Sequence, residues 1–375
     1  MYYTQQIIII ILFIFTIVSL KLKFEKYIVI LSEILLIMIF GFSYQYGTDW
    51  YNYERMFYEI ESSDRLEVGY KILSYIFRSL FETYEIFQIV IIVINIILFY
   101  ITIKKIIYKY RMFAVFTYFN VILFSITQLY RQGLSISFFN LGVYYYLNKK
   151  KLSIVYFFIA ILFHKSAIIP IVLIYFSSII SLKIKMSINR LIILTIMILI
   201  FPYKEILISL AILLKRIGLI FFYDKILSYI NKPIIIGLTL VIKIIENLII
   251  GIVVVKDKDI NERIKKIFFI FYFFNLIVFF NPVFRRVSMY WSLIFVFIII
   301  NILKNKKRYL VGYAVYNFIY LMFAEAPRGE LNEKYKYYNY FQVIIDSKKK
   351  DINKKKMELY WNEVGNEILR KEYYE

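Results

Sequence analysis

The run Ile86-Phe-Gln-Ile-Val-Ile-Ile-Val-Ile-Asn-Ile-Ile-Leu-Phe-Tyr-Ile-Thr-Ile103, followed directly by Lys104-Lys105, indicates the class of fold. Its side chains are almost all apolar, and none is charged. Wound as an α-helix at about 1.5 Å per residue, such a run nearly crosses the apolar layer of a bilayer, which is about 30 Å thick. Lysines at one end are typical of the cytoplasmic side of a membrane. The run therefore predicts a transmembrane helix whose C-terminal end faces the cytoplasm.

Comparable apolar runs recur along the whole chain. Hydrophobic residues make up 61% of the sequence and the mean hydropathy is +0.67, which is more apolar surface than a water-soluble core of this size can bury. We therefore predict an all-α, polytopic integral membrane protein with about twelve transmembrane helices, within a range of about ten to fourteen. The predicted spans are residues 5–20, 27–43, 86–103, 112–127, 133–147, 152–163, 168–182, 191–201, 234–255, 267–280, 287–303 and 309–324.

The distribution of charge predicts the orientation in the membrane. The net charge of +21 would suggest a nucleic-acid partner in a soluble protein. Six short loops, however, hold 22 of the 47 Lys and Arg residues and only 4 of the 26 Asp and Glu residues. Because such a bias marks cytoplasmic loops, the charge reports topology, and we predict no nucleic-acid partner. These loops are residues 21–26, 104–111, 148–151, 183–190, 256–266 and 304–308.

The same topology divides the chain into two parts. Residues 1–324 form the predicted transmembrane domain, with a long extracytoplasmic loop after the second span at about 44–85 and another at 202–233. Residues 325–375 form a polar, lysine-rich tail. With no cysteine and a single histidine, the chain lacks the ligands of thiolate or multi-histidine metal sites. We predict no metal and no cofactor, and we place any chemistry on the extracytoplasmic side.

The strongest polar candidates lie where the fifth span begins. Gln128, Arg131, Gln132 and Ser135 are spaced i, i+3, i+4 and i+7, so they share one stripe of a helix. Two amides, a guanidinium and a hydroxyl suit a polar ligand at the outer surface, and the guanidinium fork matches pairs of phosphate oxygens. The alternative interpretation is an arginine that reaches out to lipid headgroups.

The only histidine lies at a turn between two predicted spans. His164 ends an apolar run and is followed by Lys165 and Ser166. Its imidazole can act as a general base, or it can bind a sugar hydroxyl or a phosphate. The alternative is a residue that only caps the end of a helix or packs at the membrane interface.

Two further outer segments carry candidate residues. The stretch Gly47-Thr-Asp-Trp-Tyr-Asn-Tyr53 combines the carboxylate of Asp49 with rings such as Tyr51. A carboxylate can bind or deprotonate hydroxyls and rings stack on sugars, although an aromatic belt at the membrane surface is an alternative. Arg285 and Arg286 follow Asn-Pro at the outer end of the tenth span. One of these two arginines is expected to face the site as the second half of an anion clamp, because adjacent helical positions point apart.

Several polar residues inside the predicted spans have simpler explanations. Lys243 and Glu246 lie one helical turn apart and are expected to form a neutralising pair. Glu33, Asn95 and Asn275 are expected to bond between helices rather than to take part in chemistry.

The order of these motifs resembles the EpsG family, the Wzy-type polymerases of bacterial exopolysaccharide, capsule and O-antigen. The resemblance rests on the 47–53 stretch, on Arg131-Gln-Gly-Leu-Ser-Ile-Ser and on Phe163-His-Lys-Ser-Ala-Ile-Ile-Pro. It extends to Glu67-Val-Gly-Tyr-Lys-Ile-Leu and to an arginine ahead of a late span, and it covers roughly residues 40–300. The lysine-rich tail has no counterpart in this resemblance.

The resemblance implies a multi-pass glycosyltransferase of the bacterial inner (plasma) membrane. Such an enzyme polymerises oligosaccharide repeat units carried on polyprenyl (undecaprenyl) diphosphate, on the outer face of the membrane, and a chain-length regulator is a conceivable partner. Donor and acceptor are then both lipid-linked, so a nucleotide loop is not required. The expected catalytic residues are Arg131 at the diphosphate, with His164 and Asp49 at the acceptor hydroxyl. The expected substrate-binding residues are Arg131, Gln132, Lys165, Arg285, Arg286 and Tyr51.

Three other functions of the same pathway remain open from the sequence. A ligase would transfer the finished glycan to another acceptor. A flippase or transporter of lipid-linked oligosaccharides would favour internal repeats and a charged central cavity, and no such repeat is evident. A membrane acyltransferase of sugars would want its histidine and an acidic partner where the acyl donor enters, commonly from the cytoplasmic side.

Overall fold

The chain is almost entirely helical wherever the computed structural model describes it. The described residues are 2–21, 24–44, 50–59, 67–81, 83–127, 129–179, 186–200, 208–209, 212–213, 215–216, 238–280, 286–304, 307–323 and 338–339. Within these ranges the only strands are β1 (Ser43–Tyr44) and β2 (Tyr338–Asn339), an antiparallel pair that joins Ser43 to Asn339. The predicted all-α class is therefore confirmed.

The apolar runs set the helix positions. In chain order the helices are α1 (Tyr2–Lys21), α2 (Glu25–Leu36, continued by a π-helix at Ile37–Gly41), α3 (Trp50–Tyr58), α4 (Val68–Phe81), α5 (Tyr84–Ile106), α6 (Arg111–Thr117), α7 (Phe119–Thr127), α8 (Tyr130–Leu147), α9 (Leu152–Phe163), α10 (Ile168–Ile179), α11 (Ile188–Ile200), α12 (Leu238–Lys256), α13 (Glu262–Phe280), α14 (Ser292–Leu303) and α15 (Lys307–Phe323). Short 3-10 turns, Lys165–Ala167 and Met289–Trp291, precede α10 and α14.

Each of the twelve predicted apolar segments overlaps one of these helices, with two departures from the expected pattern. The segment 112–127 is divided at Tyr118, whose ψ of −2° ends the α-helical ladder of α6. The N–H of Val121 then bonds to the Tyr118 carbonyl three residues back, at 3.0 Å. The segment at about 44–85, predicted to be a long polar loop, contains the amphipathic helices α3 and α4.

Among the described residues, two helices are both long and apolar enough to cross a membrane: Tyr84–Ile106 and Arg286–Leu303. Other apolar helices in those ranges are shorter. The count of about twelve spans and the division into residues 1–324 and 325–375 therefore stay predictions. Most of the loop at 202–233 and nearly all of the tail lie outside the described residues.

Helix α8 forms the centre of the packing, and it lies against α5, α7 and α9. Gly133 allows the closest approach: a Cβ there would lie 2.6 Å from Asn95 Oδ1 and 2.7 Å from Ser125 Cβ. Small residues of this kind let membrane helices pack backbone to backbone. The result is a buried, fixed helix with Arg131 in its first turn.

The polar residues predicted to bond inside the helical bundle mostly do so. Lys104 Nζ lies 3.1 Å from Glu33 Oε2, and Asn95 Nδ2 donates to the Tyr130 carbonyl at 3.3 Å. Both contacts join different helices, as expected. For the side-chain oxygen of Asn275, however, the described residues offer no hydrogen-bond partner.

Candidate functional site

The site is built around an ion pair between α8 and the residue that precedes α4. Arg131 Nη1 lies 2.5 Å from Glu67 Oε2, and the two side chains are only 17% and 9% exposed. A charge that is removed from water to this degree needs a counter-charge. Glu67 therefore anchors the guanidinium, although the residues are 64 positions apart in the chain.

A glycine brings Glu67 to this position. A Cβ at Gly69 would lie 2.9 Å from the Leu162 carbonyl oxygen, so only glycine allows α4 to begin directly against the end of α9. As a result, Glu67 Oε1 also lies 3.5 Å from the backbone nitrogen of Lys165, which donates to it. One carboxylate thus connects α8 with the turn after α9.

Two tyrosine rings complete the surroundings of the guanidinium. Arg131 Cζ lies 5.7 Å from the ring centre of Tyr53 in α3 and 5.9 Å from that of Tyr70 in α4. Both distances fall within the range of cation–π attraction. Tyr53, the last residue of the 47–53 stretch, therefore lies at the site.

The histidine occupies the turn between α9 and α10. His164 ends α9 in an extended conformation, with φ −159° and ψ 120°. Its Nδ1 lies 2.6 Å from Ser166 Oγ and 3.2 Å from the Ser166 nitrogen. The ring is half-buried, and the neighbouring Lys165 side chain is exposed. The histidine therefore caps the short 3-10 turn, and Glu67 links the same turn to Arg131.

The main chain of Arg286, at the start of the 286–303 helix, also contacts α8. The side chain of Gln132 is buried, and its Nε2 donates to the Arg286 carbonyl at 2.6 Å. This bond holds the start of the 286–303 helix one residue from Arg131, while the Arg286 side chain stays exposed. The amide nitrogen of Gln132, predicted to bind substrate, thus bonds to the protein itself.

The predicted polar stripe of α8 positions three separate segments. Arg131 meets α4, Gln132 meets residue 286, and Ser135 Oγ donates to the Ala160 carbonyl of α9 at 2.7 Å. Other predicted positions cannot be placed: Gln128, Asp49 and Arg285 lie outside the described residues, as does the side chain of Tyr51 in α3.

Some residues of the site are not predicted by the sequence. Glu67 belongs to a sequence motif, but the motif does not indicate its partner, and nothing in the sequence points to Tyr70. The same holds for Tyr290 and Ser166, whose hydroxyls lie 3.1 Å apart. The signal in the sequence is the acidic residue two positions before a glycine in Glu67-Val-Gly69, since a carboxylate is a natural partner for a buried arginine.

This arrangement suits recognition of an anion. A carboxylate fixes the arginine, and the cationic side chains of Lys165 and Arg286 are exposed on segments bonded to the same assembly. The imidazole of His164 adds a group that can accept or donate a proton near neutral pH. Fold and site together define an all-α membrane protein with a charged site assembled at helix ends.

The EpsG family model matches residues 26–342, so the chain belongs to the EpsG family. The family places the chain in a class of polysaccharide-biosynthesis enzymes associated with membranes, and the resemblance found in the sequence is confirmed. No curated protein and no solved structure is significantly similar to the chain.

Proposed function

We propose that this protein is a membrane glycosyltransferase that polymerises lipid-linked repeat units into a surface polysaccharide. It transfers a growing glycan from its polyprenyl-diphosphate carrier to the next lipid-linked unit, on the outer face of the bacterial plasma membrane. One observation carries the proposal: Arg131, anchored by Glu67, is joined through that carboxylate to the turn that holds the only histidine. Membership of the EpsG family supports it.

The reaction needs two kinds of group at one place. The hydroxyl oxygen of the acceptor sugar bonds to the anomeric carbon of the donor while the bond from that carbon to the diphosphate oxygen breaks. The hydroxyl proton passes to His164, and the carrier leaves as a diphosphate whose developing charge Arg131 stabilises. Because the leaving group is already activated, no nucleotide is required.

The other candidate residues fit around these two roles. The exposed cations Lys165 and Arg286 are suited to diphosphate oxygens, and Arg285 is a further candidate. Asp49 and Tyr51 belong to the segment that ends at Tyr53, and we assign them to the acceptor sugar. Glu67 acts through Arg131, because it fixes the guanidinium in the orientation that a diphosphate needs.

The experiment uses a strain that lacks the chromosomal gene and carries a plasmid copy. Surface glycan is sized by electrophoresis for the wild type, for Arg131→Ala and for the matched control Arg55→Ala. Arg55 lies on nearby α3 with a side chain that is 55% exposed, and it forms only a loose pair with Glu59 at 4.0 Å. We expect polymer in the control strain, and single repeat units, at least about 100-fold less polymer, in Arg131→Ala.

The outcomes separate the candidate functions. Single repeat units on the carrier, exposed at the outer face, support a polymerase. Absence of any glycan from the outer face indicates a flippase instead. Full-length polymer that remains on its carrier indicates a ligase, and polymer of normal length that lacks acyl groups indicates an acyltransferase. Normal polymer in Arg131→Ala contradicts the central assignment.

A further inference from the structure

Helix α4 begins and ends at the same end of the helical bundle. Glu67, directly before α4, pairs with Arg131 in the first turn of α8. Only two residues separate the end of α4 from the start of α5. The starts of α5 and α8 lie together, since Gln88 Nε2 donates to Tyr130 Oη at 3.5 Å. Both ends of α4 are therefore held on the side of the bundle where α5 and α8 begin, which is the predicted extracytoplasmic side.

The ring contacts show that α4 crosses the end of α5. Tyr70, near the start of α4, and Phe77, two turns later, lie 5.5 and 5.6 Å from the same ring, that of Phe87 at the start of α5. A helix that ran alongside α5 would place the two rings against different turns of it. With 14 residues α4 is about 21 Å long, whereas the apolar layer of a bilayer is about 30 Å thick. We therefore expect α4 to lie along the surface of the bundle and not to span the membrane.

The residues of α4 form three separate stripes. The buried stripe includes Gly69, Tyr70 and Ser74 and packs against α5 and α9. The only two charged residues of the helix, Lys71 and Arg78, lie two turns apart and share a narrow second stripe. The third stripe is exposed and yet mainly apolar. Its large apolar side chains are Val68, Ile72, Tyr75, Ile76 and Leu80.

This pattern fits a phospholipid surface better than water. The side chains of Ile72 and Tyr75 are 53% and 63% exposed, whereas a helix at an aqueous surface turns polar residues outward. Acyl chains suit such a stripe, and lipid phosphates suit the two cations beside it, whose long stems reach the headgroups. The position agrees, because α4 crosses the end of Tyr84–Ile106, a helix long and apolar enough to cross a membrane. The end of such a helix lies at the membrane surface.

We propose that α4 is an interfacial helix embedded in the outer leaflet of the bilayer. Its exposed apolar stripe contacts acyl chains, and Lys71 and Arg78 lie at the level of the lipid phosphates. Because Glu67 directly precedes α4, the helix also holds the pair of Glu67 and Arg131 at that depth. The inference rests on α4 and on the predicted orientation, and it stands whatever reaction the protein performs.

Site-directed spin labelling measures the depth of α4, because the chain contains no cysteine. Ile72→Cys and Tyr75→Cys carry the nitroxide on the apolar stripe and Arg78→Cys carries it on the cationic stripe, in the full chain reconstituted into phospholipid nanodiscs. Oxygen concentrates in hydrocarbon and a nickel chelate stays in water, so the two collision rates report depth. We expect the labels at 72 and 75 to collide mainly with oxygen. The label at 78 should collide more with the chelate than either of them.

Two exposed positions elsewhere calibrate this measurement. Ile97→Cys, midway along α5, is the hydrocarbon control, and Tyr108→Cys, in the lysine-rich loop after α5, is the water control. The labels at Ile72 and Tyr75 should prefer oxygen as the label at Ile97 does. If both collide mainly with the chelate, α4 lies in water. If neither reagent reaches them, protein covers the stripe, either a second copy or another segment of the chain. Each of these two results overturns the proposal.

A second measurement tests the leaflet. In right-side-out membrane vesicles, a membrane-impermeant maleimide should modify Thr83→Cys, an exposed position between α4 and α5. It should not modify Tyr108→Cys until detergent opens the vesicles. Modification of Tyr108→Cys together with protection of Thr83→Cys would place α4 at the cytoplasmic leaflet and overturn the proposal. Neither measurement uses polymer formation, so failure of the proposed function would leave both results unchanged.

Discussion

Two buried ion pairs, each surrounded by tyrosines, occur in different parts of this molecule. Arg131 and Glu67 are 2.5 Å apart and come from α8 and the start of α4. Lys243 and Glu246 are 2.7 Å apart and lie on consecutive turns of α12. The first pair joins segments that are distant in the chain, whereas the second is local to one helix. Because the two pairs connect different parts of the chain, we expect the first to serve the site and the second to serve stability alone.

The local pair is surrounded by groups of the protein. Glu246 accepts hydrogen bonds from Lys243, from Tyr313 and, at 3.1 Å, from Tyr316, both in α15. The ammonium lies 4.0 Å from the ring centre of Tyr320. The pair predicted from the sequence is thus confirmed, and its surroundings match a charge that is neutralised where two helices pack.

The pair of Arg131 and Glu67 lies close to residues that can take part in a reaction. Its carboxylate also receives the Lys165 backbone N–H, and that residue follows the histidine directly. The residue after Arg131 holds the main chain of Arg286. A pair within one helix neutralises a charge that lies in an apolar region. A pair between distant segments of the chain, in contrast, brings those segments together to form a site. Four comparisons test this distinction.

The largest expected difference concerns the two cations. Arg131→Lys keeps the charge but replaces the planar fork, which binds two phosphate oxygens, by a point charge. We expect about a 100-fold loss of polymer per membrane-bound molecule. Lys243→Met should leave that ratio unchanged within a few fold. Glycan sizing with quantification of the protein in membranes measures both, and a large specific loss in Lys243→Met would contradict the distinction.

Substitution of the two carboxylates, Glu67 and Glu246, should have different effects on polymer yield. Glu67→Gln retains a hydrogen-bond acceptor for Arg131 but removes the charge that orients it, and we expect about a 10-fold loss of polymer yield per molecule. Glu67→Gln leaves the guanidinium of Arg131, and Glu246→Gln the partly buried ammonium of Lys243, without a counter-charge, so we expect each variant to lose about 3 kcal/mol in the free energy of unfolding.

Yield per folded molecule in Glu246→Gln should stay near that of the wild type. Unfolding of the detergent-solubilised protein gives the stability, and the glycan assay gives the yield. If Glu67→Gln instead lost stability alone, the pair it forms would be structural like the pair in α12.

The third comparison uses two helical glycines. Gly69→Ala places a Cβ 2.9 Å from the Leu162 carbonyl, so α4 must move away from α9. We expect a loss of about 2 kcal/mol in stability and a loss of polymer yield. Gly312→Ala in α15 meets no atom within 4 Å, and it should stabilise the helix by about 0.5–1 kcal/mol. Equal stability of the two variants would show that α4 does not depend on this close approach.

Much of the fold follows from the sequence because its determinants are local. Apolar runs that end in lysines, such as 86–103, became helices, and pairs within one helix, such as Lys243 with Glu246, are fixed by the helical repeat. The neighbourhood of Arg131 and His164 could be expected from the order of motifs. Glu33 and Asn95 also bond between helices as expected.

The partners at the site could not be deduced in the same way. Glu67 meets Arg131 only because Gly69 lets α4 approach α9, and that contact depends on how three helices pack. Tyr290 is one of 37 tyrosines in the chain, and nothing in its local sequence marks it out. Its hydroxyl lies 2.9 Å from that of Ser135 and 3.1 Å from that of Ser166, two residues distant from it in the chain. Packing, rather than periodicity, determines those neighbours.

The last comparison concerns two tyrosine hydroxyls, one beside each ion pair. Tyr316 Oη donates to Glu246 at 3.1 Å, so Tyr316→Phe removes a hydrogen bond to a buried carboxylate. We expect a loss of about 1.5–3 kcal/mol in the free energy of unfolding, typical of a bond to a charged group. Tyr70 Oη is buried and has no hydrogen-bond partner among the described residues. Tyr70→Phe should therefore leave stability unchanged or raise it by up to about 1 kcal/mol.

Polymer yield provides a second measurement for the Tyr70 variant. Tyr70→Phe keeps the ring whose centre lies 5.9 Å from the guanidinium carbon of Arg131, so the cation–π contact survives and polymer yield should stay within about 2-fold. Unfolding in detergent and glycan sizing test both expectations. A large loss of yield in Tyr70→Phe, with stability intact, would mean that this hydroxyl bonds to the substrate. The tyrosines around Arg131 would then belong to the binding site, while those around Glu246 only hold two helices together.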